Sequence, residues 1–267
     1  MTTAPQPRPC PACDASDASR IAAYSRGEWD VVACDPCGFV YLQNPVTYEA
    51  LKEDFAWEKA YAASKVEKRG SSPLSGLNRR IRKALGHRSG RRGEKVWTRA
   101  FGQGRILDIG CGDYLRPSKP MIPYGVELSS ELHARVDPLM RARGGYCLHA
   151  PGAEGIWQFD AGFFDGIIMS SYLEHETEMR RVLEGAFRAP KPGGAVFIRV
   201  PNYASLNRRV MGPKWCGFRY PDHVNYFTLA SLTRVAGLSG FLTKLVNRTT
   251  LWVDDNIQVL LIKPQHS

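Results

Sequence analysis

The 267-residue chain has no uninterrupted apolar run of the roughly 18 residues that a membrane span requires. Its opening stretch, MTTAPQPRP, has none of the apolar core of a secretory signal. These two absences argue against a helical membrane protein and predict a cytoplasmic one. Seven cysteines, an odd number in a chain without an export signal, then point to thiols or metal ligands and away from disulfides. Compositional extremes are missing as well: 43% apolar and 23% charged residues are ordinary for a globular protein, which excludes a disordered or fibrous chain. The length accommodates one full α/β domain and a small appendage.

Four of the cysteines stand in two C-x2-C pairs, Cys10-Pro-Ala-Cys13 and Cys34-Asp-Pro-Cys37, twenty residues apart. Each pair contains a proline suited to a tight turn, and two such knuckles complete a tetrahedral zinc site. With all four positions filled, the zinc is expected to hold the fold and not to catalyse. Tyr24–Ala33 and Gly38–Leu42 read as the strands of this zinc ribbon. Cys111, Cys147 and Cys216 are expected to be free thiols.

The chain is organised around Arg105–Gly112, RILDIGCG. Ile106, Leu107 and Ile109 have the character of a strand buried on both faces, and Gly110 and Gly112 end it. Glycines there let the backbone approach a ligand closely. Glu127, at the tip of the next strand, can accept hydrogen bonds from both hydroxyls of a ribose. Between the two strands, Pro117, Pro120 and Pro123 forbid a regular helix, so the first crossover should be short or irregular.

DIGCG, with Glu127 nineteen positions after Asp108, resembles motif I and the acidic loop of class I S-adenosylmethionine (SAM) dependent methyltransferases. That family places a further glycine where Tyr114 stands and a full helix where the prolines stand. The resemblance implies an α/β, Rossmann-like seven-stranded sheet with an antiparallel last strand, here preceded by the small zinc ribbon. It implies SAM as cofactor, held by Asp108, Gly110, Gly112 and Glu127, with Glu154 beside the adenine and Ser170 near the methyl group.

Farther along, Phe164-Asp-x-Ile167 followed by Leu173-Glu-His175 resembles the ubiquinone-biosynthesis O-methyltransferases, which carry a metal-holding carboxylate where this chain has Ser171. Tyr172-Leu-Glu-His175 is also similar to a stretch of zinc-ribbon deoxysugar C-methyltransferases in which tyrosine and histidine take part in acid–base chemistry. Tyr172, Glu174, His175 and His223 are therefore the catalytic candidates. His175 could be a general base oriented by Glu174, or the two could begin a helix over 176–189 and serve packing. His223 belongs to an aromatic and basic insert, 201–228, with the composition of a substrate cover. It could touch substrate, act as base, or anchor the cover through a backbone hydrogen bond.

Thr228 should cap a helix running to Gly237. Strands at Phe241–Val246 and Ile257–Ile262 should pair antiparallel, joined through turn chemistry at Asp254-Asp255-Asn256. From Lys65 to Arg105 the chain carries thirteen Lys and Arg against two Glu, so nearly the whole net charge of +10 is local. Leu77, Ile81 and Leu85 make one apolar stripe on a cationic helix there, and Arg88, Arg91 and Arg92 lie among glycines and should form a loop. This connector either packs on its neighbour or meets an anionic membrane surface, a glycan phosphate or RNA.

The expected organisation is a zinc ribbon (1–47), a basic connector (48–103) and a methyltransferase domain (104–267). A small acceptor, a sugar or cell-envelope glycan intermediate, is the first expectation. An rRNA base methyltransferase and a non-catalytic scaffold that has lost SAM are the alternatives.

Overall fold

The computed structural model describes residues 7–46 and 89–265. The expected cationic helix around Leu77–Gly86, and Arg88, lie outside them. Among the described residues no helix is long and apolar enough to cross a membrane.

The amino-terminal unit is a meander of three short antiparallel strands, β1 (Ala18–Arg20), β2 (Val31–Cys34) and β3 (Val40–Leu42). The first lies ahead of the segment expected to supply the strands. Its fourth strand comes from far along the chain: β9 (Asn225–Tyr226) pairs antiparallel with β3, Val40 opposite Tyr226 and Tyr41 opposite Asn225. Both cysteine knuckles close in the same way. Asp14 and Gly38 follow the second cysteine of each pair at φ of 61° and 69°, and their N–H groups donate to the carbonyls of Cys10 and Cys34 at 2.8 and 2.7 Å.

After α1 (Ser89–Phe101) the second sheet is laid down. Its strands are β4 (Arg105–Ile109), β5 (Ile122–Glu127), β6 (Cys147–His149), β7 (Phe164–Ser170), β8 (Pro190–Pro201), β10 (Leu242–Leu245) and β11 (Asn256–Ile262). Their spatial order is β10-β11-β8-β7-β4-β5-β6. Strands β4 to β8 run parallel, and β11 enters antiparallel between β10 and β8. This is the expected seven-stranded arrangement with its antiparallel last strand. The helices α2 (Ser130–Arg141), α3 (Met179–Arg188), α4 (Leu206–Met211) and α5 (Leu229–Leu238) complete it.

Local chemistry accounts for most element ends. Ser129 caps α2, its Oγ accepting from Leu132 N at 3.2 Å. Thr228 and Ser231 exchange side-chain and backbone bonds in a capping box at the start of α5, as the sequence predicts. The proline-rich crossover 110–121 contains no helix, also as predicted.

Three expectations are corrected. Arg91 and Arg92 are not in a loop but in α1. That helix is held down by Trp97 and Phe101, one turn apart and both buried, and Phe101 fills the space left by Gly166, where an added Cβ would meet its ring at 2.2 Å. Tertiary packing here overrides the weak helix propensity of a glycine-rich start. The helix expected over 176–189 starts three residues later, as α3 from Met179, and Glu174 and His175 do not begin it but lie in a separate tight 3-10 turn at Leu173–His175. Asp254 does accept from Asn256 N at 3.0 Å, as a turn residue would. It and Asp255 are nonetheless buried, and Asp255 accepts from Trp215 Nε1 at 3.2 Å and Asn207 Nδ2 at 2.9 Å. The reversal therefore anchors the insert.

The insert's aromatics have a structural destination. Tyr203, Trp215, Phe218, Tyr220 and Tyr226 pack with Tyr24, Val31, Val40 and Leu42 of the ribbon into one cluster. Phe39 of the ribbon meets Phe227 at 5.5 Å, joining the ribbon to the main core. The aromatic content predicted to cover substrate instead buries the ribbon against the insert.

Candidate active site

In the strand order, β4 and β7 are neighbours whose following connections lead in opposite directions along the sheet, to β5 and to β8. Open α/β sheets leave a crevice at the carboxyl ends of strands at such a point. A cleft of about 430 Å³ lies there, against the ends of β4, β5 and β7. Its floor is the glycine turn. Gly110 and Gly112 have φ of 65° and 64°, values favoured by residues without a Cβ. Gly112 N donates to Glu127 Oε2 at 2.7 Å and Ser129 N to Oε1 at 2.9 Å. Each oxygen of Glu127 keeps a second lone pair, and the residue lines the cleft.

Asp108 is fully buried beneath the turn and does not line the cleft. Its Oδ2 accepts from Arg116 Nη1 at 2.6 Å, and its Oδ1 has no partner among the described residues. Burial raises its pKa, and the Arg116 guanidinium opposes that shift. Arg116 comes from the irregular crossover and reaches the cleft wall. The sequence reading passed over it; the only signal was an arginine within a helix-free crossover next to a glycine turn.

Ser170, at the end of β7, lines the cleft, as do Tyr172 and His175. Tyr172 lies across two glycines: an added Cβ would meet its ring at 2.7 Å from Gly110 and its hydroxyl at 2.0 Å from Gly152. Its hydroxyl donates to Glu176 Oε2, and Glu176 Oε1 accepts from Glu178 N at 2.8 Å. Glu176 is buried, lines the cleft and was not singled out from the sequence, although it directly follows the Leu-Glu-His stretch. Glu154 is exposed and stands outside the lining, where Ala150, Pro151 and Gly152 form the wall.

Glu174 and His223 lie behind the wall. Glu174 Oε2 is buried without a partner among the described residues, and burial pushes the Glu174 pKa up to about 8. His175 Nε2 is 4.0 Å from Glu174 Oε1, and the rings of His175 and His223 cross edge to face at 4.6 Å. His175 Nδ1 is 2.8 Å from the Asp222 carbonyl and His223 Nδ1 is 2.8 Å from that of Gly217. A carbonyl only accepts, so in both rings the proton is on Nδ1. Burial, then the neighbouring His223, lowers the His175 pKa well below its usual value; burial and Arg219 bring His223 to about 3. Both imidazoles are neutral at physiological pH.

At the other end of the protein, Sγ atoms of Cys10, Cys13, Cys34 and Cys37 lie within 4.8 Å of one another, with Cys10–Cys37 at 3.6 Å and Cys13–Cys34 at 3.5 Å. A tetrahedral Zn–S site with bonds near 2.3 Å has sulfur–sulfur edges of about 3.8 Å. None of the seven cysteines forms a disulfide.

A family model described as a methyltransferase domain matches residues 77–243, more than half of the chain. No curated protein matches the sequence. Among solved structures, a SAM-dependent methyltransferase from Archaeoglobus fulgidus is similar with a TM-score of 0.53 and 16% identity, over 76% of this chain and 99% of its own. The YcgJ protein of Bacillus subtilis follows at a TM-score of 0.52 and 14% identity, over 65% of this chain and 99% of its own. A methyltransferase from Mesorhizobium loti aligns at 0.50 and 15% identity, over 63% and 95%. At such identities the likeness establishes the fold, that of SAM-dependent methyltransferases, and the family match leads to one conclusion: the chain belongs to the methyltransferase-domain family.

Proposed function

We propose that the protein transfers a methyl group from SAM to a small hydroxylated acceptor, a sugar or glycan intermediate. The observation that carries the cofactor reading is the Gly110–Gly112 turn joined to Glu127 by the Gly112 amide, at the floor of the cleft. The donor set fits SAM: Glu127 has lone pairs free for ribose hydroxyls, and the glycines allow close backbone approach. SAM, when bound, supplies an electrophilic methyl on a sulfonium.

The chain's own groups then align the acceptor and remove its proton. Ser170 and Ser171 stand at the end of β7 on one side, and Asp222 on another, as partners for acceptor hydroxyls. Tyr172 is backed by the Glu176 carboxylate. An acceptor proton can pass to the Tyr172 oxygen as the phenolic proton moves to Glu176. His175 shapes the wall in its neutral form, and Glu174 and His223 hold it from behind. Glu154 takes no part in this reading, since it stands outside the cleft.

We assign a structural zinc to Cys10, Cys13, Cys34 and Cys37, and divide the chain into the ribbon (1–47), the connector (48–103) and the methyltransferase domain (104–267). Calorimetric titration with SAM tests the cofactor, and transfer of a labelled methyl to sugar nucleotides tests the acceptor. Absence of binding at millimolar SAM would leave a non-catalytic scaffold. Transfer to RNA that falls steeply with salt, without transfer to sugars, would replace the acceptor assignment.

A further inference from the structure

The crossover after β4 lacks the usual helix, yet it brings a guanidinium into the cleft. Arg116 Nη1 is committed to Asp108 Oδ2 at 2.6 Å and the Cys111 carbonyl at 3.3 Å. Its Nε and Nη2 have no partner among the described residues, and its side chain keeps 25% of its surface exposed. The guanidinium is thus held from below by a fully buried carboxylate and braced on the glycine turn, with its remaining donors uncommitted.

The charge of the cleft is uneven. Asp113, Glu127, Glu176 and Asp222 line it, whereas Arg116 is the one Lys or Arg among the described lining residues. Asp113 and Asp222 also have arginines outside, Arg135 at 3.7 Å and Arg219 at 3.4 Å. A ligand carrying a carboxylate has one place in this cleft where that group meets a positive charge. Its cationic groups have several carboxylates to approach.

We infer that Arg116 is the carboxylate clamp of the cofactor site, binding the methionyl carboxylate of SAM while Asp108 fixes its guanidinium. This inference rests on the SAM reading above. The buried Asp108 would act through Arg116 and not on the cofactor, making it a positioning residue. The irregular crossover then contributes to the site by supplying its cation from a loop.

The test compares SAM with decarboxylated SAM, which keeps the ammonium and lacks only the carboxylate, by calorimetry on the full chain. Arg116→Met alone would leave Asp108 as an uncompensated buried charge, so the double variant Arg116→Met/Asp108→Asn is the primary one, and Arg116→Lys a second. Thermal unfolding checks that each is folded. Wild-type protein is expected to prefer SAM by between about tenfold and a hundredfold, the range of hydrogen bonds to charged groups. In the double variant the preference should vanish through loss of SAM affinity, with decarboxylated SAM bound within about threefold of wild type, and Arg116→Lys should fall between. A preference that survives in the double variant, or equal loss of both ligands, overturns the inference and leaves Arg116 as a structural partner of Asp108. Wild-type protein that binds neither ligand overturns the SAM reading itself, and the inference with it.

Discussion

The side-chain amide of Asn225 donates to the main-chain carbonyl of Glu176 at 2.7 Å and to that of Leu173 at 2.9 Å. Asn225 is also a strand residue of β9, opposite Tyr41 of the ribbon. A single buried amide therefore ties the ribbon's sheet to the turn that presents Tyr172, His175 and Glu176 to the cleft. Arg8 reinforces the junction, donating to Val224 O at 2.6 Å and Asn225 Oδ1 at 3.0 Å.

Asn225→Ala should remove the side-chain donor shared by the Glu176 carbonyl and the Leu173 carbonyl, the latter keeping only the longer bond from Glu176 N at 3.4 Å, and cost about 1–3 kcal/mol. Urea unfolding measures the loss. A change below about 0.5 kcal/mol would mean that water replaces the amide and the junction is not rigid.

Glu174 and its two histidines predict an unusual pH dependence. Burial keeps His223 neutral in the folded chain down to about pH 3 and lowers His175 in the same direction, so both imidazoles contribute stability that is lost as pH falls below 6.5. Glu174, which keeps its proton in the folded state, opposes the two imidazoles over the range between its ordinary value and 6.5. Between pH 6.5 and the folded Glu174 value of about 8, only Glu174 still differs, and the folded state holds the extra proton. Its contribution then falls by about 1.4 kcal/mol per pH unit. Glu174→Gln should abolish this fall in unfolding experiments between pH 6.5 and 8; an unchanged slope would show that Glu174 is ionised in the folded protein.

Gly110 and Gly112 should respond differently to alanine. Both carry positive φ, so either substitution costs about 1–2 kcal/mol of backbone strain. At Gly110 the new Cβ would also stand 2.7 Å from the Tyr172 ring, whereas at Gly112 it meets nothing within 4 Å. Gly110→Ala should therefore be the more destabilising by thermal unfolding, and Gly110→Ala in a Tyr172→Ala background should cost no more than Gly112→Ala. Equal effects of the two single variants would mean that Tyr172 swings aside freely.

The ribbon should carry about one equivalent of zinc by elemental analysis, bound by four thiolates. Cys34→Ser or chelation should remove it and lower the melting temperature, because metal binding is part of the folding free energy of such units. Zinc-free protein with an unchanged melting temperature would remove the metal assignment.

Much of this was legible in the sequence because it is local chemistry. The C-x2-C knuckles, the strand and glycine turn of RILDIGCG, the cap at Thr228 and the helix-breaking prolines each depend on residues within a few positions of one another. Buried parallel strands announce themselves as short apolar runs, whereas the seven-stranded order and its antiparallel end were implied by the resemblance to SAM-dependent methyltransferases. Tertiary structure decided what depends on distant partners. The aromatic insert resembles a cover in composition, yet it buries the ribbon. Arg116 acquires its place only in the folded chain, where it pairs with the buried Asp108 eight positions earlier. Glu176 faces the cleft while Glu174, two residues earlier, turns into the protein, because a tight turn and not a helix carries the stretch. A sequence records which side chains exist at what spacing; which of them meet across a fold is settled by long-range packing, and the active site is built from those meetings.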